Sequence, residues 1–115
     1  MTRQALGRAA EQLAAEYLQA QGMEILARNY RIRTAEIDLI AWDGAYVVFV
    51  EVKARSNAAY GLPREAVDLR KQRRIALAAA SYLYETGRMD VPARFDVVEV
   101  LAGHVTHWPN AFEQS

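Results

Sequence analysis

The 115 residues predict an α/β fold with a central mixed sheet of about five strands flanked by helices. Three observations predict it. Apolar residues recur at helical spacing over residues 3–21 and again over 63–85. Runs rich in Val, Ile and Phe, bounded by turn residues, lie between and after those stripes and read as strands. The segments Ile37-Asp38-Leu39-Ile40 and Val47-Val48-Phe49-Val50 are apolar on both faces, a pattern strands show when both sides are covered.

Composition bounds the rest. A chain of this length that is 52% hydrophobic can bury a core, but only as one domain spanning 1–115. The absence of cysteine excludes disulfides, thiolate metal sites and cysteine nucleophiles. No run approaches the roughly 18 apolar residues of a membrane span, and no signal-peptide hydrophobic region opens the chain, so a soluble, cytoplasmic protein is expected.

The first helix, about Arg3 to Gln21, carries Leu6, Ala10, Leu13, Ala14, Tyr17 and Leu18 on one stripe and stops at Gly22. Helical phase puts Glu11 at the edge of that stripe and Glu16 away from it. Gly7, one turn before Glu11, leaves room for a close neighbour. A first strand runs from about Glu24 to Arg33. Asp43-Gly44 is a two-residue hairpin signal, because glycine accepts the positive φ of a type I′ turn. Counting outward from it sets Trp42 opposite Ala45, Asp38 opposite Phe49 and Glu36 opposite Glu51. Glu36, Asp38, Glu51 and Lys53 then share one face, with Asp38 diagonal to Glu51 at about 7 to 8 Å between backbones.

After the hairpin, 54–61 reads as a loop beside that face. Pro63 suits the first turn of a second helix that reaches about Glu85 and closes at Gly87. Its stripe is Val67, Lys71, Ile75, Ala78, Ala79, Tyr82 and Leu83. Two further strands, about Arg94 to Leu101 and Val105 to Pro109, are joined by Ala102-Gly103.

Charged residues inside strand runs carry the chemistry. An ionised group there costs several kcal/mol unless a partner compensates it, and two carboxylates at this spacing can lean onto one divalent cation. Oxygen-only ligands suit a hard ion such as Mg²⁺, which keeps several waters and takes one or two carboxylates. The competing reading is an exposed hairpin face bearing solvated charges. Lys71, in the middle of an apolar stripe, either snorkels past the sheet edge or faces the acids. Asp96 reads as a structural acid paired with an arginine or a backbone donor. His104 and His107 share no face and lack a third ligand, which argues against zinc. Trp42, Trp108 and Tyr60 either pack or stack bases.

Fourteen basic and fourteen acidic residues cancel, whereas DNA-binding domains are commonly basic. Distribution matters more than the sum. Arg28, Arg31, Arg33, Arg55, Arg64, Arg70, Arg73 and Arg74 flank the acids in the chain and can form a local basic rim, with a solvated helix face as the alternative for Arg70, Arg73 and Arg74. The only lysines are Lys53 and Lys71, which singles out two positions for a compact ammonium rather than a planar fork.

Asp38 followed by Glu51-Val52-Lys53, with Glu11 on a preceding helix, resembles the metal-dependent nuclease core called PD-(D/E)XK, or restriction-endonuclease-like. The chain is more closely similar to the UPF0102 (YraN) family, itself similar to archaeal Holliday junction resolvases. The resemblance covers nearly the whole sequence: Gly7-Arg8-Ala9-Ala10-Glu11, Arg28-Asn29-Tyr30, Glu36-Ile37-Asp38-Leu39-Ile40, Phe49-Val50-Glu51-Val52-Lys53-Ala54-Arg55, Lys71, Arg94-Phe95-Asp96-Val97-Val98 and Asn110-Ala111-Phe112. Ala35 departs from it, since that family usually has glycine there, which leaves any bulge at that point in question.

The resemblance implies a restriction-endonuclease-like fold and a Mg²⁺- or Mn²⁺-dependent endonuclease acting on DNA, including branched or structured DNA. It assigns Asp38, Glu51 and the Val52 carbonyl to the metal, Lys53 to the attacking water or the developing charge, and Glu11 to a water-mediated role. Glu36 and Lys71 are supporting members. Arg28, Arg31, Arg33, Arg55, Tyr60, Arg64, Arg70 and Arg74 are the candidate nucleic-acid contacts. A homodimer is expected by the same resemblance. The competing classes are a nucleic-acid-binding module with little or no catalysis, and a scaffold whose acids bind metal for stability. The complete Asp38, Glu51, Lys53 set favours the enzyme, and the neutral charge favours the binding module.

Overall fold

Helix α1 (Arg3–Ala20) starts at Thr2, whose hydroxyl accepts the Ala5 amide at 3.0 Å, and ends at Gly22, where φ is 91°. Its buried line is Ala10, Ala14, Ala15 and Leu18, which keeps Ala10, Ala14 and Leu18 of the predicted stripe and adds Ala15. Leu6 and Leu13 remain 45% and 37% exposed. Three alanines let the helix lie close to the sheet, and that contact rotates the larger leucines outward. Gly7 has open space around its Cβ position among the described residues, so no close neighbour uses it.

The computed structural model describes residues 2–55 and 67–113. After α1 come β1 (Glu24–Ile32), β2 (Ala35–Trp42), β3 (Val47–Arg55), α2 (Leu69–Glu85), β4 (Ala93–Leu101) and β5 (His104–Phe112), and the sheet order is β1-β2-β3-β4-β5. Every neighbouring pair is antiparallel except β3 and β4, which run parallel with α2 as the connection between them. The expected mixed five-stranded sheet flanked by helices is therefore present.

The helices cover opposite faces. Ala10, Ala14 and Leu18 pack with Leu39, Ala41, Val48, Val50, Val98 and Val100. On the other side Ile75, Ala78, Ala79 and Tyr82 pack with Ile37, Ile40, Val47, Phe49 and Val97. The run Val47 to Val50, buried throughout, is apolar on both faces because each face meets a helix.

Two local expectations change. The β2–β3 connection is not a two-residue turn, because the ladder ends at Trp42↔Val47. The Asp43 carboxylate accepts the amides of Ala45 (2.9 Å) and Tyr46 (2.6 Å), which closes a longer loop around an Asx-type turn. The expected Ala102-Gly103 connection is a two-residue turn, with both φ values positive, between paired Leu101 and His104. Helix α2 begins after an Asp68 cap that accepts the Lys71 amide at 2.8 Å, not at Pro63, because Val67 and Asp68 precede it in non-helical backbone. Residues 56–66, including Tyr60, Pro63 and Arg64, lie outside the described residues.

Candidate active site

The hairpin register moves by two residues from the sequence expectation, and an even shift preserves which residues share a face. Leu39 now opposes Val50. The pairing ends at Leu39 and Val50, so Asp38 and Glu51 lie just beyond it, close enough for the Glu51 charge to act on Asp38. The ladder is not continued there. Asp38 Oδ2 accepts the Val52 amide at 2.8 Å, so a carboxylate takes the place of a strand carbonyl and the strands part around it.

The pleat also breaks at this point. Ile37 packs in the α2 layer while Leu39 packs in the α1 layer, although residues two apart normally share a face. Asn29, on the adjacent strand, has φ 51°, a left-handed conformation that asparagine tolerates better than most residues. Around it Arg28 reaches Gln12 of α1, whereas Tyr30 reaches Ser81 of α2. Ala35 pairs with Ile32 and has no left-handed backbone, so the irregularity sits at Asn29 and Asp38 and does not need the glycine usual at position 35.

Glu51 is the centre of the cluster. It is 7% exposed, and its Oε1 meets Lys71 Nζ at 2.5 Å and Lys53 Nζ at 3.5 Å. Burial pushes the Asp38 carboxyl up and the nearby Glu51 charge pushes it further; the Val52 amide and Lys71 oppose them, leaving it at about 7. Burial also lowers the Lys53 ammonium, reinforced by Lys71 beside it. Lys71 is raised, because Glu51 and Asp38 outweigh the opposing effect of burial.

Glu11 and Glu36 form the α1 side of the rim. With its amide nitrogen turned toward them, Asn29 donates to Glu11 Oε1 (3.1 Å) and Glu36 Oε1 (3.2 Å), the orientation that satisfies this network. Burial raises the Glu11 carboxyl; Asn29 opposes the shift, and the charges of Glu36 and Glu51 add to it. Asn29 is the site residue that the sequence reading missed. Its signal was an asparagine in the interior of a strand run, where that residue is disfavoured.

Asp38, Glu51, Glu36 and Lys71 line an open cleft of about 510 Å³, together with Arg70 and Arg74. Of the other expected nucleic-acid contacts, Arg31 pairs with Glu36 at 2.9 Å with its side chain 74% exposed, and Arg33 is exposed at the β1–β2 turn. Arg28 is tied to Gln12, and Arg55 to Glu99 at 3.2 Å in a largely buried pair. Lys71 thus faces the carboxylates instead of snorkelling past the edge. Asp96 is the structural acid expected of it: Arg94 holds it through two nitrogens (2.9 and 3.1 Å), His107 Nε2 lies at 2.6 Å and the Asn110 amide at 3.1 Å.

The donor set fits a hard divalent cation. All candidate ligands are oxygen, and burial, with repulsion from neighbouring carboxylates added to it, raises the Asp38 and Glu11 carboxyls. Among the described residues no three acidic or imidazole side chains group closely enough to cage an ion unaided.

Comparison with known proteins places this geometry in context. Residues 10–100 match the family model described as uncharacterised protein family UPF0102. A UPF0102 protein of Symbiobacterium thermophilum is 56% identical over 98 residues, covering 85% of this chain and 83% of that one. A UPF0102 protein of Rhodococcus jostii is 53% identical over 100 residues, covering 87% and 85%. Among solved structures, the chain is similar to Hjc of Archaeoglobus fulgidus, a Holliday junction resolvase, with a TM-score of 0.54 and 18% identity over 95% of this chain and 77% of that one. The chain therefore shares its fold with that protein. Among the described residues no helix is long and apolar enough to cross a membrane.

Proposed function

We propose that this chain, which belongs to the uncharacterised protein family UPF0102, is a Mg²⁺- or Mn²⁺-dependent endonuclease that hydrolyses phosphodiesters in branched or otherwise structured DNA in the cytoplasm. The observation that carries the reading is a carboxylate pair, half-buried Asp38 and buried Glu51, with Lys53 and Lys71 on one oxygen of Glu51, at the mouth of a cleft lined by Arg70 and Arg74.

Asp38, Glu51 and the Val52 carbonyl would hold the ion, and Glu11 would reach it through water. When bound, a divalent ion polarises a phosphoryl oxygen and lowers the pKa of water. The other work falls to this chain's own groups. Lys53 stands two residues beyond Glu51 on the same strand face, half-buried, where it stabilises charge developing on the phosphate. Burial favours its neutral amine, which also suits it to take a proton from the attacking water. Glu36 and Asn29 position Glu11 through the hydrogen-bonded bridge. Arg70 and Arg74 supply phosphate contacts along the cleft, with Arg31 and Arg33 farther out on the β1–β2 side; Arg28, Arg55, Tyr60 and Arg64 complete the proposed DNA contacts. A four-way junction has paired, symmetry-related strands, and the proposal extends to a homodimer that cuts both.

The test is a panel of linear, nicked, flapped and four-way DNA incubated with Mg²⁺ or Mn²⁺. Cleavage that needs the metal and disappears in Asp38→Asn and Lys53→Ala, with the fold retained by circular dichroism, supports the proposal. Binding without cleavage of any panel member would hand the chain to the binding-module reading.

A further inference from the structure

Building on the proposed metal site, we propose that Lys71 is an internal counter-ion that occupies the cation's place on Glu51 and must release it before the ion binds. Its ammonium lies 2.5 Å from Glu51 Oε1, so the oxygen a cation would take is already committed. The Glu51 side chain is 8% exposed and stays in place. Lys71 is 40% exposed and lines the cleft with Arg70 and Arg74, so it can withdraw into the space a phosphate would fill.

Charge counting gives the exchange its direction. Lys53 and Lys71 already share one oxygen of Glu51. A divalent ion added at that oxygen would be a third cation on one carboxylate, and a phosphodiester that takes up Lys71 removes that repulsion. The ion and the phosphate therefore bind cooperatively, with Lys71 moving from Glu51 to the phosphate. The residue type fits such an exchange. Asp96 is held by an arginine fork through two nitrogens, a fixed two-point contact, whereas Glu51 is held by point charges on flexible stems.

The experiment is calorimetric titration of Mn²⁺ into the wild-type chain, Lys71→Met, Lys71→Arg and Asp38→Asn, with and without dimethyl phosphate as a minimal phosphodiester. Removing the competing charge in Lys71→Met should tighten Mn²⁺ about tenfold, and Lys71→Arg should not. Dimethyl phosphate should tighten Mn²⁺ for the wild type more than for Lys71→Met. Without metal, Lys71→Met should melt below the wild type, and Mn²⁺ should close the gap. Lys71→Gln replaces Lys71→Met if the latter fails to fold. Equal Mn²⁺ affinity in wild type and Lys71→Met overturns the role of Lys71 while leaving the metal site standing, provided Asp38→Asn weakens binding. Absence of Mn²⁺ binding in every variant overturns the metal reading and this inference together.

Discussion

Asp96 on β4 and Asp38 on β2 belong to one sheet, and both carboxyls are largely or wholly withdrawn from water, yet their pKa values move in opposite directions. Burial alone would raise Asp96, but His107, Arg94 and the Asn110 amide outweigh it and hold the carboxyl below its ordinary value. Arg94 also ties this group to Asp43 in the β2–β3 loop (3.0 Å), so the network fastens three pieces of chain together. At Asp38 burial is reinforced by repulsion from Glu51, and the single amide of Val52 with Lys71 does not cancel them. A buried acid that the fold needs is supplied with partners until its charge is stable. One left short of partners is available to a ligand.

The contrast breaks most visibly in catalysis. Asp38→Asn and Lys53→Ala should each lower metal-dependent cleavage by about 10³-fold or more, read as single-turnover rates on four-way DNA. Asp96→Ala acts on the other region. It leaves Arg94 and His107 without their buried anion and should cost about 3 to 5 kcal/mol in urea unfolding. A stability loss below about 1 kcal/mol would mean that the network is ornamental.

The pH dependence separates the two acids in sign. The native chain holds the Asp38 proton more tightly than the unfolded chain does, from about 4 up to about 7. Metal-free stability should therefore fall as pH rises across that window, and Asp38→Asn should flatten the slope and gain on the order of 2 kcal/mol near pH 8. Asp96 contributes stability that is present above the ordinary carboxyl pKa and is lost as pH falls through its lowered native value. Chemical denaturation at a series of pH values, with and without Mn²⁺, resolves both limbs. The smallest expected effect belongs to Asn29→Ala, which forces alanine to φ 51° and removes the bridge between Glu11 and Glu36. It should cost about 1 to 2 kcal/mol of thermal stability and loosen Glu11, and Asn29→Gly should recover the backbone part alone.

Much of this site was legible from residue order. Polar residues at every second position in apolar strand runs marked Asp38, Glu51 and Lys53, because burial makes such charges expensive. The scarcity of lysine marked Lys71 as well. Helical phase placed Glu11 at the edge of α1 correctly, yet it misjudged Leu6 and Leu13, since which line of a helix meets the sheet depends on how closely the small residues let it approach. The Asp43-Gly44 pair misled for a related reason. Its glycine does adopt φ 98°, but the aspartate side chain captured two amides and lengthened the loop, a choice that propensity alone does not rank.

Local chemistry by itself determined the element order, the covered hairpin and the acid and lysine types at the site, because periodicity and the cost of buried charge act along the chain. Tertiary structure decided the rest. It set the shifted β2–β3 register, the broken pleat at Asn29, and the meeting of Lys53 and Lys71 on one carboxylate oxygen. Those features depend on where two strands part and how α2 lies across them, and distances between elements far apart in sequence arise only when the core packs.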